Sequence, residues 1–171
     1  GALSIDGDTD GGAGINGDDI DIAGGVTLTS GGLMTLDATT GGITGAAALT
    51  LNAVDGVTIN NALTTAGILT VDADTDDTGG GTFTTIAGAT VASGNNAISI
   101  TADDIALAAT FSSGSGNTTF TDSDNTGVGL GDATVVGGMG ISTAELTRMT
   151  ADIFEVATGG NITVNGVTDA S

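Results

Sequence analysis

Cysteine, histidine, proline, tryptophan and tyrosine are all absent from this sequence, and a single basic residue, Arg148, stands against 21 acidic ones. Each absence removes a class of chemistry. Without cysteine or histidine there is no disulfide, thiol nucleophile or imidazole base, and no zinc, haem or iron-sulfur site of the usual ligand types. Without lysine and with one arginine, the phosphate contacts that hold nucleic acid cannot be made. The sequence has no apolar run of transmembrane length and no basic, apolar leader at its start, so a membrane span is not expected. Beginning at Gly1 rather than Met, the chain reads as a mature or excised piece of something longer.

What is there is small and polar. The 171 residues hold 31 Gly, 31 Thr, 24 Ala and 19 Asp, with a formal net charge of −20. High charge and few aromatics often mean disorder, yet 39% of the residues are hydrophobic and the mean hydropathy is +0.33. Nineteen Asp against two Glu is the signature of turns, where Asp bonds local backbone and tolerates tight conformations. A folded chain is expected.

One unit recurs along it. Leu3-Ser-Ile5, Ile20-Asp-Ile22, Val26-Thr-Leu28, Met34-Thr-Leu36, Leu49-Thr-Leu51, Val57-Thr-Ile59 and Leu69-Thr-Val71 alternate apolar and small residues. Ile98-Ser-Ile100, Ile105-Ala-Leu107, Val128-Gly-Leu130, Met139-Gly-Ile141 and Ile162-Thr-Val164 continue the series. A period of two predicts strands with one buried face, and the Gly, Ser and Asn clusters between them predict turns. Ile5, Leu28, Leu51 and Val71 lie 20 to 23 residues apart, and Ile15–Ile22 is echoed by Ile100–Leu107. Such self-similarity fits a solenoid whose coil is a few short strands and their corners.

Core volume separates the β architectures. Phe83, Phe111, Phe120 and Phe154 are the only rings, too few for the wide interior of a sandwich or barrel. A narrow bore filled by Ala, Val, Ile, Leu and Thr stacked on their like suits this composition. The predicted fold is therefore all-β, a single-stranded parallel β-helix over residues 1–171, with seven or eight coils rising roughly 35 Å. Ser142-Thr-Ala-Glu145 has the form of a capping box, and Leu146, Met149 and Ile153 follow at helical spacing. A short helical segment near 143–150 is expected there, with Arg148 on its polar side.

Gly127-Val-Gly-Leu-Gly-Asp132, Ile141-Ser-Thr-Ala-Glu-Leu146 with Arg148-Met149, and Gly160-Asn-Ile-Thr-Val164 together resemble an element of very large secreted adhesins of the filamentous haemagglutinin type. The likeness covers roughly residues 126–165; before that it is one of general style. It implies a right-handed β-helix exported to the bacterial cell surface and displayed as a fibre. Its partners would be neighbouring repeats or copies of itself end to end, and a host-cell, glycan or other surface receptor. The Asn-Pro motifs of that family's secretion domain are missing, so the resemblance places this chain in an internal or distal segment. A self-assembling extracellular filament or matrix subunit is the alternative reading.

Acidic clusters are the candidate sites. Asp6, Asp8 and Asp10 open like a calcium loop, but Gly17 stands where an EF-hand needs Glu. Gly11–Asn16 is an imperfect copy of the calcium nonapeptide of RTX proteins. Asp72, Asp74, Asp76 and Asp77 form a second cluster, and Asp122 with Asp124 a third. Self-repulsion favours bound cations, so weak Ca²⁺ binding at these turns is expected, with Asp6, Asp8, Asp10, Asp72, Asp74 and Asp76 as ligands. The pairs Asp18-Asp19 and Asp103-Asp104 would point to opposite faces of a strand, a poor arrangement for glycoside hydrolysis, and no enzyme activity is expected. Gly137–Gly140 lacks the lysine of a phosphate loop. Thr-x-Thr repeats such as Thr27–Thr29 and Thr82–Thr84 would suit ice only in registered rows, which the uneven spacings argue against.

Overall fold

The computed structural model describes residues 1–7 and 18–167. The chain winds through short strands in repeating triplets. The first is β1 (Leu3–Asp6), β2 (Ile20–Ile22) and β3 (Val26–Ser30); the second is β4 (Met34–Asp37), β5 (Ile43–Gly45) and β6 (Leu49–Ala53). The third is β7 (Val57–Ile59), β8 (Leu63–Thr65) and β9 (Leu69–Asp72), and the fourth is β10 (Thr82–Thr85), β11 (Thr90–Ala92) and β12 (Ile98–Ala102). The fifth triplet is β13 (Asp104–Leu107), β14 (Thr110–Ser112) and β15 (Thr118–Asp122). After it come β16 (Val128–Gly131), β17 (Met139–Ile141), α1 (Thr143–Leu146), β18 (Met149–Thr150), β19 (Phe154–Ala157) and β20 (Ile162–Asn165).

Equivalent strands of successive triplets pair in parallel and build three ribbons: β1-β4-β7-β10-β13, β2-β5-β8-β11-β14-β18 and β3-β6-β9-β12-β15-β19. This is the stacked parallel architecture of a β-solenoid. Backbone donors and acceptors that a single coil would leave open are met by the coil above or below. No helix is long and apolar enough to cross a membrane among the described residues.

Side chains stack on their like, as the narrow bore requires. Leu28, Leu51, Val71, Ile100, Phe120 and Val156 form one column in register, and Met34, Val57, Phe83 and Ile105 another. Most of these are fully buried. Two sequence equivalences are corrected. Ile5 stacks on Leu36 in a different ribbon from Leu28, and Ile20–Ile22 and Ile105–Leu107 lie in separate ribbons despite their similar sequences. Apolar alternation marks a strand but carries no label for which ribbon it joins.

Coil length is not constant. From Val26 to Leu49 and on to Leu69 the steps are 23 and 20 residues, whereas Leu69 to Ile98 takes 29 and Thr118 to Phe154 takes 36. The first excess lies in the corner 73–81 between β9 and β10, whereas the second takes in β16, β17 and α1; neither adds a residue within the paired strands. Rows on the outer face consequently stay aligned. Thr27, Thr50, Thr70, Ser99 and Thr119 stand one above another, so the expectation that uneven spacing breaks such rows is overturned. Asn52, Asp72 and Glu155 interrupt the hydroxyls of that face.

The four Phe side chains meet inside the upper coils. Phe83, Phe111, Phe120 and Phe154 contact edge to face in sequence, with centroid distances of 6.3, 5.6 and 5.3 Å. There the strand order also changes. β17 pairs with β16, which pairs with β20, and β17 lies against β13, whose Asp104 Oδ1 accepts from Gly140 N at 2.9 Å. The chain thus passes from β15 to β16, turns back through 132–138 to place β17 between β13 and β16, and later sets β20 on the far side of β16.

The predicted capping box is present. Ser142 Oγ accepts from Glu145 N at 3.3 Å, and Glu145 Oε2 accepts from Ser142 N at 2.8 Å. The helix is shorter than its apolar spacing suggested. It stops at Leu146, because Met149 pairs with Phe111 as strand β18, and Ile153 is exposed. Ribbon pairing of Met149 outcompetes a second helical turn. Glu145 Oε1 also accepts from Leu107 N at 2.9 Å, at the end of β13 that the short β17 does not reach.

Candidate functional site

Corners are where this fold places its charge, and the corner leaving the β3-to-β19 ribbon gathers the most. Strands of this ribbon end on small inward residues: Ser30 and Ala53 are in register there, as are Ala102 and Asp122, and all four are buried. Asp122 therefore carries a carboxylate into a position occupied by alanine one coil below. Its Oδ2 accepts from Gly127 N at 2.8 Å and from Thr158 Oγ1 at 2.7 Å, while its buried Oδ1 has no partner.

Asp74, two coils away, is fully buried as well. Ser123 Oγ donates to its Oδ2 at 2.7 Å, and its Oδ1 is also buried without a partner. Asp103, from the coil between, accepts from Gly80 N at 3.1 Å. Asp124 faces this group, its Oδ1 again unpartnered. Burial pushes the Asp124 carboxyl above the ordinary aspartate range, and the charges of Asp103, Asp74 and Asp122 push it further the same way. A hydrogen bond with Asp103 acts in that direction too. The loop over this corner is made of Gly79, Gly80 and Gly81. A Cβ on Gly81 would lie 2.3 Å from the Ala73 carbonyl oxygen and 2.3 Å from Asp74 Cβ, so the backbone touches the acidic residue directly.

The residues expected to ligate calcium are placed differently. Asp6 ends β1 opposite Asp37 of the next coil; Asp8 and Asp10 lie outside the described residues. Asp72 faces outward and accepts from Asp74 N at 3.3 Å, and its carboxyl is pushed up by burial and by Asp77 and Asp74. Asp76 is exposed and accepts from Thr78 Oγ1 at 2.9 Å. Asp74 is turned away from this surface cluster toward Ser123. Among the described residues no group of three or more acidic side chains is placed so that it could hold a metal ion. The grouping of Asp74 with Asp103, Asp122 and Asp124 was hidden in the sequence, because it joins residues from three coils. The one sign of it is an acid where the corner column otherwise holds serine or alanine.

The adjacent pairs serve the stack. Asp18 accepts from Thr40 Oγ1, and Asp19 from Gly42 N at 2.8 Å, each one coil on. Asp103 and Asp104 likewise bond Gly80 N and Gly140 N. Asparagines do the same at other corners: Asn61 Oδ1 accepts from Ala38 N at 2.9 Å and Asn125 Oδ1 from Gly159 N at 2.7 Å. Side chains here replace the backbone acceptors that the ribbons supply between strands. A hollow of about 380 Å³ lies beside α1, lined by Thr84, Leu107, Glu145 and Arg148 among others. Arg148 itself donates from Nη1 to the Ala144 carbonyl at 2.7 Å.

Comparison with protein-family models, with curated proteins and with solved structures finds no match to this chain.

Proposed function

We propose that this chain is a structural and adhesive segment of a secreted bacterial surface fibre, a rod made by stacking coils. The observation that carries this reading is the unbroken parallel register of three ribbons along one axis, two of them six strands deep. A stack of this kind gains stability from each neighbouring layer and has no inherent stopping length. Its last described strand, β20, leaves Ile162 48% and Val164 60% exposed, an apolar edge suited to a further layer. The resemblance of residues 126–165 to filamentous haemagglutinin-type adhesins supplies the cell-surface setting and the fibre form. The acidic skin keeps such rods soluble.

The same open edge serves the alternative, in which separate copies associate into a filament. Electron microscopy of the native material, together with the length of the encoding reading frame, tests both. Thin rods from a frame many times longer than this chain support the fibre segment. Filaments from a frame of about this length support the subunit reading, and discrete compact particles overturn both.

A further inference from the structure

The ribbons end at different heights. Those that begin with β2 and β3 finish at β18 and β19, whereas the one that begins with β1 is carried past β13 by β17, β16 and β20 and stands two strands taller. Through β15 each coil visits the three ribbons at one level and climbs on returning to the first. β16 breaks that order, because the chain turns back from it to β17. Among the described residues no strand therefore stands level with β16 in the other two ribbons. On the side of β18 the space is closed by α1, which lies against β16 and packs Leu146 onto the core. On the side of β19 it is open.

The open side specifies what fits it. β19 has β15 as its one ladder partner among the described residues, so its other edge presents unpaired N–H and C=O groups. Its inward side chains, Phe154 and Val156, are half-buried, whereas Phe120 one coil below is fully buried. Leu130 of β16, half-buried against the core, stands level with the gap. A free edge with apolar columns at alternate positions calls for an extended strand in parallel register. The outward residue between those columns is Glu155, exposed and stacked on Thr119, and across a ladder opposite charges attract where like charges repel. A second copy does not fill the gap. Its lower end is level, since β1, β2 and β3 are each first in their ribbon, so in any rotation it meets β20 before it reaches β19. Two chains of net charge −20 also repel.

We propose that the gap above β19 is a docking site for one extended strand of a separate, basic polypeptide. The strand runs parallel to β19, with apolar side chains over Phe154 and Val156 and lysine or arginine over Glu155. It lengthens that ribbon by one level and closes the bore opposite β16. The site does not depend on the fibre reading, because a stack continued from β20, by further coils or by another copy, passes over the gap.

The test is titration of the isotope-labelled full chain with an acetylated, amidated peptide Thr-Val-Lys-Ile-Lys-Thr, followed by amide NMR. Saturable binding is expected, with shifts centred on β19, Leu130 and Leu146 and slower amide exchange in β19. A peptide of the same composition with its lysines adjacent keeps the charge and loses the alternation. It should bind about tenfold more weakly, the loss of one buried aliphatic contact. Val156→Ser should weaken binding by about the same factor, and Glu155→Lys about two- to fivefold. Ile162→Ser, on β20, should leave binding unchanged. Equal binding of the two peptides would reduce the effect to charge attraction and overturn the proposal. So would the absence of binding, or shifts centred on β20 that Ile162→Ser abolishes. Sedimentation showing that the chain alone associates with β19 protected would overturn it in favour of a second copy, and protection of β19 in a longer natural chain in favour of that chain's own continuation.

Discussion

The lower coils, from β4 to β9, and the upper ones, from β13 to β20, use one set of rules with different results. Below, Met34, Leu36, Leu49, Leu51, Val57, Ile59, Leu69 and Val71 fill the bore with aliphatic side chains, and strands stack in chain order. Above, phenylalanines take over part of the bore and β17 is inserted beneath β16. Stacking like on like is sufficient while coils stay short. Where 36 residues separate Thr118 from its partner Phe154, larger side chains and side-chain hydrogen bonds have to fix the arrangement.

If that contrast is right, single substitutions should separate the halves. Phe111 is fully buried and touches both Phe83 and Phe120, so Phe111→Ala removes two ring contacts and leaves a cavity. A loss of about 3–5 kcal/mol is expected, at or above that of Leu51→Ala in the aliphatic stack, at about 2–5 kcal/mol. Denaturant unfolding of the two variants checks the order. Gly138→Ala strikes the turn back between β16 and β17: its Cβ would sit 2.3 Å from the Gly127 carbonyl oxygen. Destabilisation of about 1–3 kcal/mol is expected, with amide hydrogen exchange rising in β16, β17 and β20 while β4 to β9 stay protected.

Glu145→Ala removes the capping box and uncovers Leu107 N together. It should cost about 1–2 kcal/mol by denaturant melting, more than Glu145→Gln, whose single amide oxygen keeps one of the two acceptors. Acidity gives the smallest effect. Asp72 and Asp124 have raised folded-state pKa values, so their charged forms are disfavoured in the fold. The penalty is present at neutral pH, lifts as pH falls through the raised values, and gives no further gain below the unfolded value of 3.8. Without divalent ions, Tm should rise as pH is lowered toward that point, and Asp124→Asn should flatten the rise.

The same contrast explains what could be read from the residues. All twelve alternating segments picked out by periodicity lie in strands. β19 escaped although Phe154 and Val156 alternate, because it follows the expected helix; the other strands that escaped have little to alternate: β5 and β8 are three residues long and turn the small residues Gly45 and Thr65 inward, β10, β11 and β14 each carry one large apolar side chain, and β18 has only two residues. Thr118–Asp122 was equally silent, a lone phenylalanine among polar residues. Its inward positions are set by the coil below, not by its own pattern. Ribbon membership and the β17 insertion depend on corner lengths, which Gly, Asp and Asn leave free. The acidic corner was partly visible as two local clusters, but its joining across coils exists only in three dimensions.

Because β17 is held between β13 and β16, the upper end cannot be stripped layer by layer in reverse chain order. β20 can peel away first, yet β17 must then be drawn out from between two neighbours, both made of residues that precede it. Under tension such an end behaves as a knotless latch, yielding in one larger step where an ordinary winding would fray.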